Sequence, residues 1–173
     1  MQIKEYISAA RVAERVEELA AQIGGDYARP PVMVGILNGA VQFMMDLVAR
    51  LPAHWSENLY YDFVDLSSYD GTESSGQVVF GKELVVDIAG RDVLVIDGIA
   101  DTGLTLHALL RHLEGAGPRS VKVCALLDKS ARRRHDLAVD YIGFSIEDLF
   151  VVGYGMDYDQ RYRSLPYIGV IED

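Results

Sequence analysis

The chain of 173 residues has a single cysteine, 26 acidic side chains against 16 Lys and Arg, and no long hydrophobic run. Each shortage excludes something. Cys124 lies within the apolar run SVKVCALL and has no second cysteine to meet, so neither an internal disulfide nor a cysteine-based zinc site is available. It reads as a small core residue. The longest apolar stretches fall far short of the ~18 residues of a membrane span. The N-terminal segment MQIKEYISAARVAERVEEL is amphipathic and acidic where a secretory leader would be basic and then apolar. The expectation is a soluble, cytoplasmic protein. A formal net charge of -10 opposes non-specific attraction to nucleic acid, so any bound anion must be held locally, by backbone amides, a few placed cations or a metal ion. Two phosphate-binding motifs also fail. There is no G-x-x-x-x-G-K-[ST] loop, and GYGMDY (153–158) lacks the third glycine and the strand-turn-helix setting of a dinucleotide fingerprint.

What is present suffices for one well-buried core, since half of the chain is hydrophobic. SAARVAERVEELAAQI places Val12, Val16, Leu19 and Ile23 at helical spacing behind Ser8 as a cap. PPVMVGIL (30–37) reads as a buried strand, NGA (38–40) as a turn and VQFMMDLVARL (41–51) as a helix. ENLYYDFVDLSSY (57–69) reads as another strand, followed by DGTESSG (70–76), a polar loop expected to be mobile. QVVF (77–80) and KELVVDI (82–88) are short strand candidates. RDVLVID (91–97), LTLHALLRHLEGAG (104–117) and SVKVCALLDK (120–129) then give strand, helix and strand.

Strands alternating with helices, with nearly continuous apolar strand runs, argue for an open, doubly wound α/β domain with a mostly parallel sheet covered on both faces. No repeat or linker divides the chain, so one domain is expected. In such sheets ligands bind beyond the carboxyl ends of the strands, which places Asn38, Gly39 and Ala40, the segment from Asp97 to Thr105, and Asp128 with Lys129 on one rim. Val93 to Ile96 bury their strand and leave Asp97 at its exposed end. In DTGLT (101–105), Thr102, Thr105 and the backbone amides could surround a phosphate at the start of a helix, although such turns also occur without ligands. Taken alone, KSARRR (129–134) is a solvated loop, Lys129 a surface residue and Phe150 a core aromatic.

With VGILNGAVQFMMDLV (34–48), VLVIDGIADTGLTL (93–106), DKSARRR (128–134) and DYIGFSIEDLFVVGYGMDYDQRYRSLPYIGVI (140–171), the chain resembles the hypoxanthine-guanine phosphoribosyltransferases over about residues 31 to 172. The resemblance implies a type I phosphoribosyltransferase core over about 25–140, with a small hood from the N-terminal segment and about 141–173. It implies displacement of pyrophosphate from C1 of 5-phosphoribosyl diphosphate by a 6-oxopurine ring nitrogen. Asp101 then matches the residue that exchanges a proton with the purine. Thr102, Gly103, Leu104 and Thr105 complete the 5′-phosphate loop. Asn38 and Gly39 match the pyrophosphate loop, Arg163 a pyrophosphate contact, and Asp97 a ribose and metal contact. Lys129 matches the reader of the 6-oxo group, Phe150 the aromatic that stacks on the base, and Val151 the backbone that pairs with its edge. Asp157, with Asp97, is implied to hold Mg2+. Ser68 and Tyr69 match a pair on the family's mobile loop, which excludes water. A homodimer or homotetramer is implied, with VQFMMDLV as a possible interface.

Two positions depart from the family pattern. Asp97-Gly98 stands where adjacent acids are usual, and Asn38 where many relatives have lysine or arginine. The first leaves ribose and metal binding to Asp97, and an aspartate restored at 98 would add a hydrogen bond to ribose if the backbone there admits a side chain. It also keeps open a regulatory protein of the same fold that binds nucleotide or the diphosphate sugar with little turnover. A receiver or methyltransferase fold would leave the C-terminal string unexplained.

Overall fold

The computed structural model describes residues 1–68 and 78–172. A six-stranded sheet forms the body. Its strands are β2 (Val32–Leu37), β3 (Tyr61–Ser68), β4 (Val78–Lys82), β5 (Asp92–Ala100), β6 (Ser120–Asp128) and β7 (Tyr141–Ser145), ordered β4-β3-β2-β5-β6-β7. All neighbours are parallel except β4, which returns antiparallel along β3. The helices α1 (Ala9–Asp26) and α2 (Val41–Val48) cover one face and α3 (Leu104–Glu114) the other.

Alternation within each strand explains the unbroken apolar runs. Met33, Leu94, Ile96, Cys124 and Leu126 pack with Val16, Leu19, Phe43 and Leu47 of α1 and α2. Their neighbours Val32, Val34, Val93, Val95, Val123 and Ala125 pack with Leu106, Leu109 and Leu113 of α3. At these positions both faces of the central strands are dry, which is why the runs there are apolar. Each of these buried leucines stabilises the fold by roughly 1.5–3 kcal/mol relative to exposure. Ser8 caps α1 as expected, its Oγ accepting from the Arg11 N–H at 3.1 Å. Cys124 is fully buried, and burial pushes its thiol pKa upward.

A second sheet, antiparallel and small, joins β1 (Gln2–Ile7), β9 (Ile168–Glu172) and β8 (Val151–Val152) in the order β1-β9-β8. Pairing Gln2 with Glu172 and Val151 with Val170 hangs the hood beside the main sheet. No helix among the described residues is long and apolar enough to cross a membrane.

The segment KELVVDI is a correction. Only Lys82 belongs to a strand, β4, and residues 83–88 are irregular. Two of their backbone donors go elsewhere: the Asp62 carboxylate accepts from the Val85 and Val86 N–H groups at 2.6 and 3.1 Å, and it also accepts from the side chain of Lys82, Nζ at 2.9 Å. Burial works against ionisation of Asp62, yet these hydrogen bonds hold its carboxyl at about 2.

Candidate active site

The ends of β2, β5 and β6 and the turn before β8 open onto a cleft of ≈ 650 Å³. Asn38, Gly39, Asp101, Lys129, Phe150, Val151, Asp157 and Arg163, singled out from sequence, all line it. A smaller recess of ≈ 260 Å³ lies beyond Ile99 and Asp101 and is lined by Asp97 and by Thr102 to Thr105. Asp101 and Ile99 border both, so one aspartate stands between the two chambers.

In the recess, Gly103 has φ +89 and leads into α3, whose first amide, that of Leu104, makes only a long bond of 3.4 Å to Thr102 Oγ1. The N–H groups of this first turn and the positive end of the helix dipole suit an anion. An ideal Cβ on Gly103 would lie 2.5 Å from a Leu137 methyl and 3.1 Å from Arg133 Cδ, so close packing as well as the positive φ favours glycine there. The turn is braced from behind, its Thr102 carbonyl accepting from the Arg134 and His135 N–H groups and its Asp101 carbonyl from Arg133.

In the main cleft, Lys129 is only 6% exposed, which corrects its reading as a surface residue. Its Nζ lies 3.6 Å from Asp148 and 4.0 Å from Asp101. Arg132 bonds both acids, Nε to Asp101 at 2.6 Å and Nη1 to Asp148 at 3.0 Å. Arg133 pairs with buried Asp128. The cluster KSARRR is therefore no solvated loop: three of its cations are committed to acids at the rim. Asp148, unrecognised in the sequence, is held ionised by its hydrogen bond from Arg132, which lowers its pKa. Its signal was its place two residues before Phe150 in the C-terminal string.

Phe150 is a second correction, being 56% exposed where a lone aromatic beside valines suggested core. Its ring meets the edge of Tyr158 at 5.6 Å, leaving an apolar wall open to a flat ligand. Asp157 accepts from the Gln160 N–H at 2.8 Å and pairs with Arg163 at 3.2 Å, while Arg163 also donates to the Gly155 carbonyl at 2.7 Å. Ser68 ends β3, and Tyr69 and the polar loop 70–76 fall outside the described residues.

Asp97 requires a third correction. β5 continues through Ala100, so Asp97 is not at an exposed strand end. Loss of hydration pushes its carboxyl up to about 7, against the N–H groups of Ile99 and Gly98 that favour its charge. A folded pKa above the ordinary 3.8 means that the native state keeps a proton that the unfolded chain has lost. The contribution to stability is complete below the ordinary value and is lost as pH rises through about 7, with a slope of at most about 1.4 kcal/mol per pH unit. Urea unfolding of the ligand-free protein between pH 4 and 8 is expected to show Asp97→Asn gaining stability over the wild type with rising pH. A constant difference would mean that Asp97 titrates normally.

The phosphoribosyl transferase domain family matches residues 2–159. The chain is 42% identical over 171 residues to a hypoxanthine-guanine phosphoribosyltransferase of Bacillus subtilis (strain 168), covering 98% of this chain and 93% of that protein. It is 46% identical over 158 residues to one from Staphylococcus epidermidis, covering 90% and 86%. The crystal structure of a hypoxanthine-guanine phosphoribosyltransferase from Bacillus anthracis superposes with a TM-score of 0.92 at 40% identity, covering 99% of this chain and 100% of that one.

Proposed function

Since the chain belongs to the hypoxanthine-guanine phosphoribosyltransferase family, we infer that it makes IMP or GMP in purine salvage from 5-phosphoribosyl diphosphate and a 6-oxopurine. The observation that carries this reading is Asp101 on the wall between two chambers, with a phosphate-suited turn on one side and a buried lysine and an open aromatic ring on the other. The bond from C1 to the diphosphate oxygen breaks, a purine nitrogen bonds to C1, and the proton on the purine passes to Asp101. Arg132 orients that carboxylate. The amides and threonines of 102–105 hold the 5′-phosphate, Phe150 stacks on the base, and the Val151 backbone pairs with its edge. Lys129 donates to the 6-oxo group, which disfavours adenine.

Mg2+ fits the donors at hand. No cluster of three or more His, Cys, Asp or Glu occurs among the described residues. Single carboxylates facing a diphosphate are the arrangement Mg2+ takes when substrate oxygens and water complete its shell. Asp157 and Asp97 would hold it, and bound there it would neutralise charge on the leaving diphosphate. Arg163 and the loop at Asn38 and Gly39 contact the pyrophosphate, while Ser68 and Tyr69 belong to a loop that excludes water from the reacting centre. We further propose one domain, cytoplasmic location and a homodimer or homotetramer. In α2 the side chains of Phe43, Met44 and Leu47 are spent on the core, so an interface there would use exposed Val41 and partly buried Met45 and Val48.

A phosphoribosyl transfer assay with hypoxanthine, guanine, xanthine and adenine, with and without a chelator, tests the whole reading. Turnover of a 6-oxopurine that stops in chelator is expected, and binding of the diphosphate sugar without turnover would overturn the inference. Lys129→Ala is expected to lower kcat/KM for hypoxanthine by about ten- to a hundredfold, through loss of a charged hydrogen bond worth about 1.5–3 kcal/mol. An unchanged kcat/KM would leave the lysine only its ion pair with Asp148.

A further inference from the structure

A second pocket, of ≈ 510 Å³, opens at the opposite edge of the large sheet, where its strands begin. Arg29 precedes β2, Tyr60 precedes β3, Arg91 and Asp92 lead into β5, and Arg119 precedes β6. β5 alone separates this edge from Ala100 at the catalytic rim by about 26 Å of extended chain. On a chain of net charge -10 the pocket gathers three guanidinium groups and one carboxylate. Its volume lies within the range of small-molecule sites.

The charges are not mutually cancelled. Asp92 is spent on Arg119, which donates from Nε at 2.9 Å and from Nη2, and on the Ser120 hydroxyl at 2.7 Å. The hydrogen bond from Arg119, against some burial, holds the Asp92 carboxyl at about 2, so this pair stays ionised and internally neutral. Arg91 lies over the Tyr60 ring at 4.7 Å, and among the described residues its one side-chain hydrogen bond is a long one, 3.4 Å to the Asp87 carbonyl. Arg29 is exposed and has no side-chain partner among the described residues. Two guanidinium forks with unused donors thus border one cavity, beside a tyrosine that is 50% exposed. Planar forks of this kind match the paired oxygens of phosphates, and a ring already carrying a cation gives a base or ribose something to rest on.

We propose that this pocket is a second ligand site, which takes a di- or triphosphate group through Arg29 and Arg91. The group is carried by a nucleotide or is inorganic, and the site is independent of the catalytic cleft. The test is amide NMR on the full-length protein titrated with inorganic tripolyphosphate and, separately, with GTP. Signals of Tyr60, Gly90 and Arg91 are expected to shift saturably, as a set distinct from Asp101 to Thr105. In Arg29→Ala/Arg91→Ala the apparent Kd read at the strand-start set is expected to rise by about a hundredfold, with kcat/KM for hypoxanthine unchanged. Should that variant fail to fold, Arg29→Gln alters an exposed side chain only and is expected to weaken binding about tenfold. Tighter binding of GTP than of tripolyphosphate, with the advantage lost in Tyr60→Leu, identifies a nucleotide as the ligand. Equal affinities identify the inorganic chain. Shifts confined to the catalytic rim, shifts that do not saturate, or an unaltered Kd in both arginine variants would overturn the proposal.

Discussion

Asp101→Asn is expected to lower kcat for hypoxanthine by about 10²–10⁴-fold, the range that a positioned general acid-base supplies. Asparagine keeps the size of the side chain and an oxygen facing Arg132, which now stands 2.6 Å from the carboxylate. It cannot accept the purine proton or offer full negative charge to a cationic C1. The surrounding turn is held by backbone bonds, including Arg133 to the Asp101 carbonyl at 2.7 Å, so its shape is retained. KM for the diphosphate sugar is therefore expected to change by much less than kcat, because the recess proposed for the 5′-phosphate is built from Thr102 to Thr105 and the start of α3. Steady-state kinetics in both substrates checks the split. A loss in kcat below about tenfold would mean that Asp101 serves the turn and not the proton transfer.

The second large effect concerns Asp97 and Gly98. Asp97→Asn is expected to raise KM for the diphosphate sugar at least tenfold, since a charged hydrogen bond worth about 1.5–3 kcal/mol is lost and no adjacent acid replaces it. The sequence suggested that Gly98→Asp would do the reverse. The structure reverses that expectation. Gly98 has no positive φ, so its backbone admits a side chain, but an ideal Cβ would sit 2.9 Å from the Gly39 carbonyl oxygen and 3.3 Å from its carbon. The same carbonyl is 2.7 Å from a Cβ built on Gly155. Gly39 is wedged between two glycines, and backbone has to move where a flexible side chain could have turned away. Overpacking of this kind costs about 1–3 kcal/mol, and the part that moves is the loop of Asn38 and Gly39 that lines the cleft and is proposed to contact the pyrophosphate. Gly98→Asp is thus expected to raise KM for the diphosphate sugar by about five- to a hundredfold. A lowered KM would show that the loop relocates freely and that the acid is recovered as a ribose ligand.

The elements legible in the sequence are those whose environment is uniform along their length. β2, β5 and β6 are dry on both faces and so read as apolar runs, and α1 and α3 each present one buried stripe. β1 is not legible as a strand in the sequence, because its partner, β9, lies at the other end of the chain and nothing local specifies that pairing. KELVVDI has a plausible strand composition, but the carboxylate of Asp62, twenty residues upstream of Lys82, takes the hydrogen bonds its backbone would have given a neighbour.

At the site the same division holds. Residue types and their order, from DTGLT to FVVGYGMD, already determined which chemistry the chain could carry, because the turn, the lysine and the aromatic are contiguous in short strings. Their electrical states were decided by folding. Lys129 and Asp148 come together from separate loops, Arg132 bridges Asp148 to Asp101, and burial within β5 raises the pKa of Asp97. Charge pairing and hydration depend on distances through space, and those distances exist only once the loops at the ends of the parallel strands have been brought to one rim.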